Sequence, residues 1–346
     1  VIDLRSPYPW WGGKLMVAPI VWRRFGNVRN YIEPFYGSGA VLLNRPQPFQ
    51  GPETVNDLNG WLCNFWRALQ ADPEAVASYA DWPVSELDLH ARGDWLFYRK
   101  GVAEFVERLR SDPVYFDVKS AGWWVWGQCC WIGTGWGPKE NRKRPHLGDA
   151  GRGVDRQLPH LGSAGSGVNR KLPHLGSAGR GEEERGHGRE PQATAKGFAL
   201  REYLYGLAER MRQVRVCCGD WRRVCGPTPT VQQGLTAVFL DPPYGVDDRA
   251  DCYDGQEDYE VSKAVREWAI EHGDDKRMRI ALCGYDGEHV MPPTWECYAW
   301  KARGGYGSQA ADGENENAER ERIWFSPHCL GVKGPVQADL FVESAT

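Results

Sequence analysis

The sequence predicts an α/β fold built on a mostly parallel sheet with helices on both faces. Two observations carry this prediction. Short β-rich runs alternate with helical patterns in both the first and the last part of the chain, and such alternation builds parallel sheets with crossover helices. The middle of the chain has a different texture, rich in tryptophan and glycine and then repetitive, so the α/β unit reads as interrupted by an insertion.

Taken in order, residues 1 to about 75 supply the first α/β stretch. Tyr31-Ile32-Glu33 and Thr54-Val55-Asn56 are strand-like, and an amphipathic helix is expected from Gly60 to Gln70, stopped near Pro73. The texture resumes near residue 197. A helix is expected over Phe198–Gln213, then strands at Val214–Cys218 and Ala237–Leu240, a helix over Tyr259–His272, and strands at Arg279–Cys283 and Ile323–Ser326. In between, Lys119 to Trp136 holds Trp123, Trp124, Trp126, Trp131 and Trp136 among Gly122, Gly127, Gly133 and Gly135. Clustered tryptophans beside glycines suit a closely packed core more than a ligand surface. A tandem repeat follows, anchored by Pro-His-Leu-Gly at Pro145, Pro159 and Pro173, fourteen residues apart. Its units are too glycine-rich and too poor in apolar residues to stack as a solenoid. Residues 144–185 therefore read as a flexible basic low-complexity segment, with His146, His160 and His174 as solvated loop residues and no metal set.

Composition narrows the class. Hydrophobic residues make up 41% and charged residues 25%, ordinary for a globular chain. No apolar run has the length to span a bilayer, and Val1 to Lys14 lacks a signal-peptide pattern, so a cytoplasmic protein without membrane contact is expected. The ten cysteines include two adjacent pairs and no C-x-x-C, which favours reduced thiols over zinc or a disulfide framework. The net charge of −4 does not advertise nucleic acid, but it is uneven. Lys139 to Arg180 carries nine basic and three acidic residues, whereas Asp241 to Asp275 carries twelve acidic and three basic. One face can meet a polyanion while the total stays negative.

Four motifs stand in an informative order: Pro9-Trp10-Trp11-Gly12-Gly13-Lys14, Glu33-Pro34-Phe35-Tyr36-Gly37-Ser38-Gly39, Asn56-Asp57-Leu58-Asn59 and Asp241-Pro242-Pro243-Tyr244-Gly245. The last three each follow an expected strand, where doubly wound sheets bind ligands. Gly37 and Gly39 allow a tight turn and close backbone approach. Asp57 suits ribose hydroxyls, with capping of the Gly60 helix as a competing role. Asp241 offers a carboxylate and Pro242 a carbonyl, two hydrogen-bond acceptors side by side. Two consecutive prolines fix the direction of that carbonyl, and Tyr244 follows with an aromatic face.

In this order, the W-x-G-G-K, E-P-F-x-G-S-G, D-x-N and D-P-P-Y strings resemble the Dam-type (D12 class) family of N6-adenine DNA methyltransferases. Cys217-Cys218-Gly219-Asp220-Trp221 resembles that family's adenine-contacting segment, and Glu321 to Ser326 its late core strand. The resemblance implies a Rossmann-like class I methyltransferase sheet formed by residues 1–79 and 196–346, with 80–195 as an inserted target-recognition region. It implies S-adenosyl-L-methionine as co-substrate, no metal, and double-stranded DNA as partner. It places Trp10, Lys14, Glu33, Pro34, Phe35, Gly37, Ser38, Gly39, Asp57, Asp220, Trp221 and Asp241 around the cofactor, with Lys14 serving its carboxylate. Asp241, Pro242, Pro243 and Tyr244 form the implied reaction site, where the Asp241 carboxylate and the Pro242 carbonyl would accept the N–H groups of an exocyclic amine and Tyr244 would stack on an extruded base. N4-cytosine methylation is the enzymatic alternative, although Asp at 241 favours adenine; a DNA-binding module without catalysis, or a tether built on the repeats, are the others. A monomer is expected. A partner nuclease is left open, with an orphan or phage-type enzyme favoured because no nuclease motif is evident.

The basic, glycine-rich segment from Trp300 to Gly307 has two readings, a neighbour of the target base or DNA backbone and a surface loop. The acidic run from Asp312 to Glu321 reads as a solvated loop between strands.

Overall fold

The computed structural model describes residues 4–10, 12–112, 114–131, 136–137, 193–244, 255–300 and 320–331, with side chains from 200 and from 259 onward in the two helices that open at 193 and 255. The repeats at 144–185, the loop at 301–307 and residues 312–319 of the acidic run lie outside the described residues.

Seven strands form one sheet in the order β3-β2-β1-β4-β5-β7-β6. They are β1 (Asn30–Glu33), β2 (Glu53–Asp57), β3 (Val214–Cys218), β4 (Thr236–Leu240), β5 (Met278–Tyr285), β6 (Glu296–Ala299) and β7 (Glu321–Phe325). The first five run parallel, with Ile32 paired to Thr54 and to Val238, and Phe239 paired to Ala281. Strand β7 runs antiparallel to both β5 and β6. The expected strands all form, within one or two residues at their ends. Strand β6 has no counterpart in the sequence reading.

Side-chain alternation along the strands separates two cores. Tyr31, Ala237, Phe239, Ala281 and Cys283 point to one face, and Ile32, Val238, Leu240, Ile280 and Leu282 to the other. The first face is covered by α1 (Ala18–Phe25), α2 (Ala40–Leu43), α3 (Gly60–Ala71) and α8 (Ala193–Met211). The second is covered by α9 (Arg222–Cys225) and α10 (Gly255–His272) through Trp221, Val224, Val265 and Ala269. A fold of this kind is the Rossmann-like arrangement expected.

Four further helices thicken the first face: α4 (Pro73–Ala80), α5 (Glu86–Phe97), α6 (Val102–Ser111) and α7 (Val118–Cys130). Local chemistry sets their starts, since Asp72, Ser85 and Asp117 each accept a backbone N–H in the first turn of α4, α5 and α7. The tryptophan-rich stretch is thus helical over Val118–Cys130, and Trp124, Trp126 and Trp136 are core. Trp124 and Trp126 are fully buried, and Trp124 packs on Tyr8 and Phe65 at 4.9 and 5.9 Å between ring centroids. Gly127 leaves the space that Trp136 fills, since a Cβ there would meet the indole at 2.3 Å. Truncating one such indole costs about 3–5 kcal/mol.

Candidate active site

Strands β1 and β4 are neighbours whose following loops depart in opposite directions, towards β2 and towards β5. A crevice forms at the carboxyl ends of such a strand pair. Asp241 follows the last residue of β4 there, and Lys14 reaches it from the N-terminal segment. The Lys14 side chain is 4% exposed; its Nζ lies 2.9 Å from Asp241 Oδ2 and donates to Gly12 O at 2.6 Å. The ammonium also sits 5.3 Å from the Tyr244 ring centroid. The Tyr244 hydroxyl is 3.1 Å from Asp241 Oδ1 and 2.9 Å from Glu321 Oε2. A phenol has one proton, so it donates to one carboxylate at a time.

Electrostatics follow from this packing. Burial opposes the charge on Lys14, but Asp241 and Glu321 outweigh it and raise the ammonium above its ordinary range. Burial raises the Tyr244 phenol well above the usual value, with Asp241 and Glu321 adding to the effect. Glu33, at the end of β1, is pushed well above the carboxylate range by burial; the Tyr31 hydroxyl, donating to it at 2.8 Å, opposes this, and the Asp241 charge reinforces it.

On the other side of the crevice, three loops are tied together. Asn56 Nδ2 donates to Pro34 O at 3.1 Å and to Gly219 O at 2.9 Å, linking the loops after β1 and β3 across β2. Asp57 accepts from Gly37 N at 3.0 Å and Asn59 N at 2.9 Å. Its carboxyl is raised by burial, against those backbone N–H groups. Gly37 has φ 47°, and a Cβ there would lie 2.6 Å from Trp10 Nε1, so the loop and the Trp10 indole are in close contact. Tyr8 holds the same loop by donating to Gly37 O at 2.9 Å, while Trp66 Nε1 donates to the Tyr8 hydroxyl at 2.9 Å. Phe35 and Trp221 face each other with ring centroids 6.1 Å apart.

The structure thus sorts the expected residues into two sets. Lys14, Asp241 and Tyr244 meet directly. Trp10, Phe35, Gly37, Asp57 and Trp221 gather at the ends of β1, β2 and β3, with Ser38 half-buried beside them and Gly39 preceding α2. Glu33 and Pro34 are buried beneath, as is Pro242, while Pro243 is half-buried. Asp220 is exposed and bonds Arg222, its Oδ1 accepting from Arg222 N at 2.8 Å. Two expectations change. The cap of α3 is Asn59, whose Oδ1 accepts from Trp61 N and Leu62 N, because Asp57, the last residue of β2, lies two residues too early. The acidic run does not end in solvent: Glu321 opens β7, is 5% exposed and touches Tyr244. Strand alternation offered the signal for it, since Glu321 shares a face with buried Ile323 and Phe325. Tyr8 and Asn56 also went unassigned, and their partners lie too far along the chain for spacing to reveal.

A seven-stranded sheet of this order, with antiparallel β7 and an acceptor-rich crevice at β1 and β4, defines a Rossmann-like methyltransferase fold. Residues 10–114 match the family model of the D12 class N6 adenine-specific DNA methyltransferases, the family the motifs resemble. The chain is 34% identical over 76 residues to the DNA N-6-adenine-methyltransferase of Escherichia phage P1, covering 22% of this chain and 10% of that protein. It is likewise 34% identical over 83 residues to the DNA adenine methylase of Vibrio cholerae serotype O1 (strain El Tor Inaba N16961), covering 24% of this chain and 29% of the relative. The matched stretches thus span between a tenth and under a third of these curated relatives. No helix among the described residues is long and apolar enough to cross a membrane, and none of their side chains form a group of three or more metal-ligand types.

Proposed function

We propose that this chain is an S-adenosyl-L-methionine-dependent DNA methyltransferase that modifies N6 of adenine in double-stranded DNA. The observation that carries the reading is the cluster of Lys14, Asp241 and Tyr244 at the β1–β4 crevice, together with the glycine loop inside the matched stretch. The residues present fit the cofactor. Lys14 is a buried cation suited to its carboxylate, Asp57 keeps lone pairs for ribose hydroxyls, and Phe35 with Trp221 offers apolar walls to its adenine. Trp221 Nε1 is buried with no hydrogen-bond partner among the described residues, a donor available to that base. When bound, the cofactor supplies an electrophilic methyl group.

The chain's own residues prepare the nucleophile. Asp241 and the Pro242 carbonyl accept the two N–H groups of the amine, which frees its lone pair from the ring. Lys14 orients Asp241 through their ion pair. The buried, hydroxyl-bound Tyr244 swings out of its contacts with Asp241 and Glu321 to stack on the extruded base. Residues 80–195 serve as the target-recognition region, and 1–79 with 196–346 as the catalytic domain of a monomer acting in the cytoplasm.

Incubating unmethylated DNA with the protein and methyl-labelled S-adenosylmethionine, then analysing nucleosides by mass spectrometry, tests this. Labelled N6-methyladenine is expected. Labelled N4-methylcytosine overturns the base assignment alone, and cofactor binding without label overturns the enzymatic reading.

A further inference from the structure

A second cavity, of about 240 Å³, opens beside the edge strand β3, between α3 and α6. Arg67, Arg110, Arg215 and Arg223 line it together with Cys63 and Cys218. Arg110, Arg215 and Arg223 form no ion pair with an acidic residue among the described residues. Arg223 instead donates to Cys218 O at 2.6 Å.

Strand geometry decides which cysteines can meet. Cys217 and Cys218 are adjacent in β3 and point to opposite faces: Cys217 packs with the core of Trp221, Cys218 with the core that holds Cys63. Cys63, in the first turns of α3, has its Sγ 3.3 Å from Cys217 O and 3.5 Å from Asp57 O, over the strand pair in which Asp57 opposes Cys218. The neighbouring Cys63 thiol, with Arg110 alongside, brings the Cys218 thiol down to about 7 against the effect of burial. The Cys63 thiol moves the opposite way and keeps its proton. A partly exposed thiol in an electropositive setting is the reactive kind, and a nearby second thiol resolves its oxidised form.

We propose that Cys218 is a peroxide-reactive thiol and that Cys63 is its resolving partner, the two closing a disulfide in this arginine-lined cavity. The Cys218 thiolate attacks the O–O bond of hydrogen peroxide, forming an S–O bond and releasing hydroxide; sulfur loses two electrons and peroxide gains them. The Cys63 sulfur then attacks the sulfenic acid, an S–S bond forms, and the hydroxyl leaves as water with the Cys63 proton. The bridge ties α3 to the end of β3 on either side of Asp57. Any effect on cofactor binding rests on the function proposed above; the bridge itself does not.

The test treats the full chain with hydrogen peroxide at pH 7, digests it without reductant and maps peptides by mass spectrometry. A Cys63–Cys218 linked peptide is expected, together with Cys218 reacting ahead of the exposed Cys297, whose thiol burial of its sulfur pushes up. Cys218→Ser should leave Cys63 reduced, and Cys63→Ser should leave a Cys218 sulfenic acid that dimedone captures. Arg110→Gln should slow Cys218 oxidation several-fold. No linked peptide, a link through Cys217, or faster oxidation of Cys297 overturns the proposal, whatever the methylation assay gives.

Discussion

Two clusters of buried charge occupy opposite ends of the same sheet, and they differ in balance. At the amino end of β2, Glu53 accepts from Arg45 at 3.1 Å and from Arg210 at 2.7 and 2.9 Å, while the two guanidinium groups also donate to Val28 O and Leu42 O. One carboxylate is thus enclosed by two cations. At the carboxyl ends of β1 and β4 the proportions reverse: the Lys14 ammonium faces Asp241 and Glu321, with Glu33 beneath them. Burial of charge alone does not separate structure from function, because both clusters are buried. Charge balance and position do. A closed, cation-rich cluster at the amino ends holds elements together, whereas at the carboxyl ends carboxylates outnumber the one cation.

Substitutions at each end can break this contrast. The largest effect is expected from Asp241→Ala, which should lower methyl transfer per folded molecule at least about a thousandfold, roughly 4 kcal/mol of transition-state stabilisation, with some stability also lost because the buried Lys14 ammonium keeps only Glu321. Retained turnover in the labelled-methyl assay removes Asp241 from the chemistry. Glu53→Ala should do the converse: about 3–5 kcal/mol of stability lost in urea unfolding, because two guanidinium groups lose their carboxylate, with activity per folded molecule unchanged. Asp57→Ala is expected to weaken cofactor affinity in calorimetry by about 1–3 kcal/mol, since it frees Gly37 N as well as removing an acceptor. Unaltered affinity there would move the ribose contact elsewhere.

The smallest effect concerns Glu33. Its carboxyl is raised in the folded protein, so the folded state binds its proton more tightly than the unfolded chain. Its contribution to stability therefore falls as pH rises from the ordinary carboxylate range through the raised value. Glu33→Gln keeps an acceptor for the Tyr31 hydroxyl and removes the ionisation. It should raise the melting temperature by a few degrees at pH 8 and leave it near the parent value at pH 4. An equal shift at both values would locate the effect in packing rather than in charge.

What the sequence revealed follows the same division. The parallel strands and α3, α8 and α10 were legible because period-two and period-3.6 patterns are strong in half-buried elements. Helix α7 was not, because it is buried almost all round, Trp124, Val125 and Trp126 in succession, which erases the amphipathic signal. Strand β6 was missed for the opposite reason, since its four residues are mostly exposed and only pairing with β7 makes them a strand. Lys14, Asp241 and Tyr244, which meet in the crevice, each lie inside a contiguous motif legible in the sequence. Glu321 was hidden among acids whose usual place is solvent, and its contact with Tyr244 spans 77 positions.

The Asn56 amide has a mechanical consequence. Both of its N–H groups are committed, one to the loop after β1 and one to the loop after β3, so these loops cannot drift independently. The gap between Phe35 and Trp221 is thereby gauged during folding, like a jaw set to a fixed width. On the function proposed above, a cofactor entering there would meet a slot already cut to size, and adjustment would fall to the opposite jaw, where Tyr244 is held by two hydrogen bonds it can exchange.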